Sequence, residues 1–123
     1  MNPWKNRPFA ARLTFALRGF AHALASERSL KVQLLALAAV VAVLLKLRPG
    51  ALWWALVLLS SATVLASELL NSALEQLADA LHPTQSESIA RAKDCAAAAV
   101  LIASLGALAV GVALCLDLLG TAG

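Results

Sequence analysis

Glu68, Asn71, Glu75 and Asp79 place three carboxylates and an amide, at spacings of three and four residues, in a stretch that is otherwise apolar and free of Pro and Gly. At 100° per helical residue these four positions span about 80° of the circumference, so they form one polar stripe on a helix. Oxygen donors gathered in this way suit a hard divalent cation, which for Mg²⁺ takes one or two carboxylates alongside phosphate oxygens and water. A nearby Lys would favour phosphate, and Arg91-Ala92-Lys93-Asp94 follows the stripe, while Glu27 lies upstream of it. The set has the make-up of a metal-nucleotide site.

The stripe is costly where it stands. The chain has 123 residues, of which 61% are hydrophobic and 14% charged, and its mean hydropathy is +0.81. A soluble domain of this size could not hide so much apolar surface, so lipid is the expected solvent for most of it. Ionisable groups at membrane depth are retained where they pair, bind ions or do chemistry. Several other classes are excluded. The net charge of +3 is modest, and the basic residues form no stripe with interleaved aromatics, which speaks against nucleic acid. No GxxxxGK[ST] loop, glycine cradle or protein-kinase signature is present. His22 and His82 are too far apart in sequence to open a zinc site. Cys95 and Cys115 stand near opposite ends of one apolar segment, roughly 30 Å apart as a helix, which rules out a bond between them.

The elements that must hold the stripe follow from the hydrophobic pattern. Residues 1–28 form an N-terminal segment in which Lys5, Arg7, Arg12, Arg18 and Arg28 mix with Phe9, Leu13, Phe15, Leu17, Phe20 and Leu24. Pro3 and Pro8 keep its start irregular, and from about Ala10 it reads as an amphipathic helix at the bilayer surface. Residues 29–123 form a transmembrane domain with three spans, at about 30–47, 51–67 continuing helically to 81, and 95–119. A helix over 51–81 is about 45 Å long against a hydrocarbon core of about 30 Å, so the stripe sits at one membrane surface. The connections are a tight turn at Lys46-Leu47-Arg48-Pro49-Gly50 and a polar loop from His82 to Ser88. Trp53 and Trp54 beside the first turn read as an interfacial belt.

With the N-terminus cytoplasmic, Lys46 and Arg48 are the two basic residues outside, and the other eight of the ten lie inside. The positive-inside bias therefore puts the N-terminus in and the C-terminus out. Six of the seven acids fall on the same inner side, leaving Asp117 outside, and this clustering locates the chemistry at the cytoplasmic face.

The pattern Glu68-x-x-Asn71-x-x-x-Glu75-x-x-x-Asp79, then Arg91-Ala92-Lys93-Asp94 and an Ala-rich span, closely resembles the small prokaryotic diacylglycerol kinase family, which includes undecaprenol kinases. With Gly19, Glu27 and Leu30-Lys31 the resemblance covers about residues 12–115. It implies an all-α integral membrane enzyme of the bacterial inner membrane, a homotrimer with active sites shared between subunits. Each subunit would contribute a surface helix and three spans. The implied reaction moves the γ-phosphoryl of MgATP to the hydroxyl of diacylglycerol, with undecaprenol as the alternative acceptor. By position, Glu68 matches the family's proposed catalytic base and Asn71 an active-site amide. Glu27 and Glu75 match the carboxylates that hold Mg²⁺ and the nucleotide, and Lys93 and Asp94 match nucleotide-contacting positions. Phe15 stands where relatives carry an aromatic beside the nucleotide, and Ser86 falls in the corresponding loop, which here reads Thr84-Gln85-Ser86. Arg12 and Lys31 are candidates for the lipid substrate.

The competing reading is a small transporter subunit with the stripe as a proton or cation relay. A relay should carry ionisable groups near the bilayer midplane, whereas these spans are apolar through their centres. Asp79 could equally be an exposed residue at a helix end, and Lys93-Asp94 a solvated cap at a helix start.

Overall fold

The computed structural model describes residues 5–84 and 86–122; Pro3 and Gln85, named above, lie outside the described residues. The described residues form four helices: α1 (Phe9–Ser26), α2 (Arg28–Leu47), α3 (Ala51–Leu81) and α4 (Glu87–Ala122). Three of them, α2, α3 and α4, are long and apolar enough to cross a membrane.

The helix boundaries have local causes. Pro8, extended at φ −61° and ψ 155°, precedes α1, and its carbonyl accepts the Arg12 amide at 3.1 Å. Proline suits the entry to a helix because its φ is already set and it has no N–H to leave orphaned. One residue separates α1 from α2: Glu27 leaves the helical region at φ −106° and ψ 113°. Its amide still closes α1 onto the Ala23 carbonyl at 2.8 Å. At the far end of α2, Arg48 adopts the left-handed conformation, φ 51° and ψ 54°, and returns its N–H to Leu44 at 2.8 Å. Pro49 cannot continue the helix, and Gly50 starts α3 by accepting the Trp53 amide at 3.0 Å.

α4 begins at Glu87, eight residues before the apolar segment at Cys95. Ser86 supplies the start signal, because its hydroxyl accepts the Ile89 amide at 3.4 Å and its carbonyl accepts that of Ala90 at 3.0 Å. Such an N-cap satisfies one of the four amides that a helix start leaves without a partner. Lys93 and Asp94 therefore lie at the seventh and eighth positions of α4 and not at a capping position, which corrects the cap reading.

α3 and α4 pack along each other most extensively, α2 lies against α3, and α1 touches both α2 and α3. The core at the α2–α3 turn is Leu44, Val57 and Leu114, with Trp53, Trp54, Val110 and Leu118 packed around it. Trp53 Nε1 donates to Asp117 at 3.0 Å, tying the start of α3 to the end of α4. Few side chains are enclosed beyond this. Leu35, Leu59, Leu70, Ile102 and Leu116 are each more than 60% exposed, as expected of helices solvated by lipid or by further helices. Cys95 and Cys115 are both exposed and unbonded to each other.

Candidate functional site

Glu68 is the buried acid of the described residues, 8% exposed, on the face of α3 that meets α2. Ser29 Oγ donates to its Oε1 at 2.6 Å and Gln33 Nε2 to its Oε2 at 3.1 Å. Ser29 and Gln33 are four apart on α2, so the helical period alone puts both on one face. The first contact also brings the α1–α2 joint alongside α3, and with it Glu27, two residues before Ser29 and half-buried. One turn beyond Glu68, Ser72 is 4% exposed.

The stripe then climbs out of the apolar region. At 1.5 Å per residue Glu68, Glu75 and Asp79 stand about 26, 36 and 42 Å along α3, so the last two pass the end of a hydrocarbon core of about 30 Å. Asn71 and Glu75 are half-buried and Asp79 is exposed. Asn71 Oδ1 is buried without a hydrogen-bond partner among the described residues. An amide oxygen left in this state is a donor atom in want of a cation or a proton. Glu27, Asn71 and Glu75 all offer hard oxygen, the ligand type that Mg²⁺ takes, so the donor set fits that ion. No three His, Cys, Asp or Glu side chains converge among the described residues. Mg²⁺ needs no such cage, since one or two carboxylates with phosphate and water complete its shell.

Lys93 Nζ meets Asp79 Oδ1 at 2.7 Å across the α3–α4 turn, and Glu75 lies within electrostatic reach of the same ammonium. Asp79, His82, Thr84, Ser86, Glu87 and Lys93 help line an open cleft of about 500 Å³ at this end of the molecule. A lysine at a polar cleft is a point charge suited to phosphate. Asp94 is exposed on α4.

A second cleft, about 370 Å³, runs between α2, α3 and α4. Gln33 stands at its upper end, and its walls are Leu37, Val40, Val64, Leu108 and other small or apolar residues down to Val57 and Leu114. The buried carboxylate therefore has a polar cleft beyond it on the water side and an apolar groove leading up to its partner Gln33.

Other residues singled out from the sequence have local partners. Phe15 is half-buried, and the Arg18 guanidinium lies 5.8 Å from its ring centre. Lys31 Nζ donates to the Ala25 carbonyl at 3.4 Å, over the last turn of α1. Arg12 is exposed on α1. Ser86 caps α4 and also lines the polar cleft. Sequence reading missed Ser29 as a partner of Glu68 and Asp79 as a partner of Lys93. The four-residue spacing of Ser29 and Gln33 at the polar end of a span was the available signal for the first. The second depends on how the turn folds back and had none.

Residues 14–115 match the family described as prokaryotic diacylglycerol kinase. A relative named diacylglycerol kinase, from Synechocystis sp., is 34% identical over 112 residues, covering 89% of this chain and 64% of the relative. The chain thus spans a little under two thirds of that relative's length.

Proposed function

This chain belongs to the prokaryotic diacylglycerol kinase family, and we propose that it transfers the γ-phosphoryl group of ATP to the hydroxyl of diacylglycerol, giving phosphatidic acid and ADP. The observation that carries this reading is the position of Glu68, buried and hydrogen-bonded on both oxygens, one of them to Gln33 at the head of an apolar groove. A lipid whose chain lies along that groove presents its hydroxyl at the level of the carboxylate. Nucleotide, which is soluble, arrives from the polar cleft on the other side.

The chemistry needs positioning and charge neutralisation more than covalent help. Glu68 orients the acceptor hydroxyl and takes its proton as the new O–P bond forms and the bond from the γ-phosphorus to the ADP oxygen breaks. The proton then leaves to water. Asn71 contributes its amide to the same site. Glu27 and Glu75 are the residues that would hold Mg²⁺, and Lys93 and Asp94 contact the nucleotide, with Phe15 and Ser86 at its edges. When bound, Mg²⁺ supplies charge neutralisation at the phosphate oxygens. Arg12 and Lys31 lie on the side of the lipid headgroup.

The enzyme works as a homotrimer in the bacterial inner membrane. Its N-terminus is cytoplasmic, and α1 lies at the inner surface, with the apolar side chains of Phe9, Leu13 and Leu17, all exposed in the single chain, resting on lipid. The exposed apolar flanks of α3 and α4 are covered by neighbouring subunits and lipid.

The test is phosphate transfer by the purified protein with MgATP and either diacylglycerol or undecaprenol in mixed micelles. Diacylglycerol-dependent release of ADP with labelled phosphatidic acid is the expected result. Preference for undecaprenol would move the substrate within the family. Ion flux in vesicles without lipid-dependent ADP would replace the kinase reading with that of a transporter subunit.

A further inference from the structure

We propose that Ser29 and Gln33 are positioning residues for phosphoryl transfer, which clamp the two oxygens of Glu68 so that one orientation of the carboxylate faces the acceptor hydroxyl. This rests on the reading of Glu68 as the base.

The geometry is specific in three respects. Each donor takes a different oxygen, Ser29 at 2.6 Å on Oε1 and Gln33 at 3.1 Å on Oε2. The terminal torsion of a glutamate is broad and two-fold, so a carboxylate held at one oxygen can still turn, while one held at both cannot. An ionised carboxylate has about four lone-pair sites, so two donors leave acceptor capacity for the incoming proton.

The third respect is the state of Gln33. Its amide nitrogen serves Glu68 while its own Oε1 is buried with no hydrogen-bond partner among the described residues. A polar atom left so is destabilising, and a helix contact in an apolar setting needs no such arrangement. The arrangement is better matched to keeping the base in place than to joining α2 to α3. Ser29 and Gln33 come from the helix that starts at the Glu27 joint, so the clamp also sets the height of Glu68 relative to the neighbouring carboxylate. An error of about 1 Å in a reacting group can lower the rate on the order of a hundredfold.

The experiment compares Ser29→Ala, Ser29→Thr, Gln33→Met and Glu68→Gln in the full chain, with MgATP and diacylglycerol in mixed micelles. Ser29→Ala and Gln33→Met are each expected to lower kcat about tenfold while KM for lipid and nucleotide stays within twofold. Ser29→Thr, which keeps the hydroxyl, restores most of the rate. Wild-type kcat in both Ser29→Ala and Gln33→Met, with Glu68→Gln inactive, overturns the clamp and leaves the base. A rise in KM with kcat unchanged, or a loss in Ser29→Thr equal to that in Ser29→Ala, also overturns it. Wild-type turnover in Glu68→Gln overturns the base and the clamp together. Should Ser29→Ala fail to fold, Gln33→Met decides alone, since it acts on the other oxygen.

Discussion

Lys93 Nζ and Asp79 Oδ1 meet at 2.7 Å, joining the last turn of α3 to the second turn of α4. The pair is open to water, with the two side chains 35% and 69% exposed, and ion pairs of that kind contribute little to stability. In the proposed site it is the Lys93 ammonium itself, at the lining of the polar cleft, that meets phosphate. Lys93→Met is expected to lower kcat/KM for ATP at least about tenfold through loss of a charge-assisted contact to phosphate. Thermal unfolding should be nearly unmoved, and steady-state kinetics beside a melting curve checks both. Asp79→Asn, which leaves the ammonium in place, should change KM for ATP only about two- to threefold.

Glu68→Gln keeps the shape of the side chain and removes the proposed proton acceptor. A fall in kcat of about a hundredfold to ten-thousandfold is expected, the span attributed to positioned general bases. Nucleotide affinity, measured by a fluorescent ATP analogue, should stay close to wild type. A mutant with near-normal turnover would remove Glu68 from its role.

Glu75→Gln should act on the metal requirement. The activity curve against Mg²⁺ is expected to shift to concentrations about tenfold higher, with much of the rate recovered at saturation. A curve that overlays the wild type counts against ligation by this residue.

Leu44 is wholly enclosed, between Val57 and Leu114 at the opposite end of the molecule from Glu68. Leu44→Ala leaves a cavity and should destabilise the fold by about 2 kcal/mol or more. Below the melting temperature its kcat should match the wild type. Unfolding in detergent and activity at low temperature separate the two effects.

Orientation can be read with single cysteines in a Cys95→Ala/Cys115→Ala background. A Cβ at Gly50 meets no atom within 4 Å, so Gly50→Cys is accommodated in the turn between α2 and α3, and Glu87 is exposed at the start of α4. A membrane-impermeant maleimide should label Gly50→Cys in intact cells and Glu87→Cys only after permeabilisation. The reverse pattern would invert the topology.

The helical make-up, the three candidate spans and the stripe were legible because lipid imposes a simple rule. Every backbone polar group must be satisfied within its own helix, and any ionisable group that stays at depth must have a use. Continuous apolar composition therefore marked α2, α3 and α4, and the carboxylates stood out against it. The start of α4 was not legible from hydropathy, because Glu87 to Asp94 is polar; the helix there depends on the Ser86 cap and on a turn that lets Lys93 meet Asp79.

By itself the sequence determined which residues share a helix face, since a period of 3.6 needs no partner. Ser29 with Gln33, and Glu68 with Asn71, Glu75 and Asp79, are settled at that level. Tertiary structure alone decided which face meets which: that α2 turns Ser29 and Gln33 onto Glu68, and that α4 folds back to set Lys93 on Asp79. Those pairings depend on the turn at 48–50 between α2 and α3 and on the connection between α3 and α4, where helix directions are set. Contacts between residues 14 to 39 positions apart leave no periodic trace along the chain, and so they had to be seen in three dimensions.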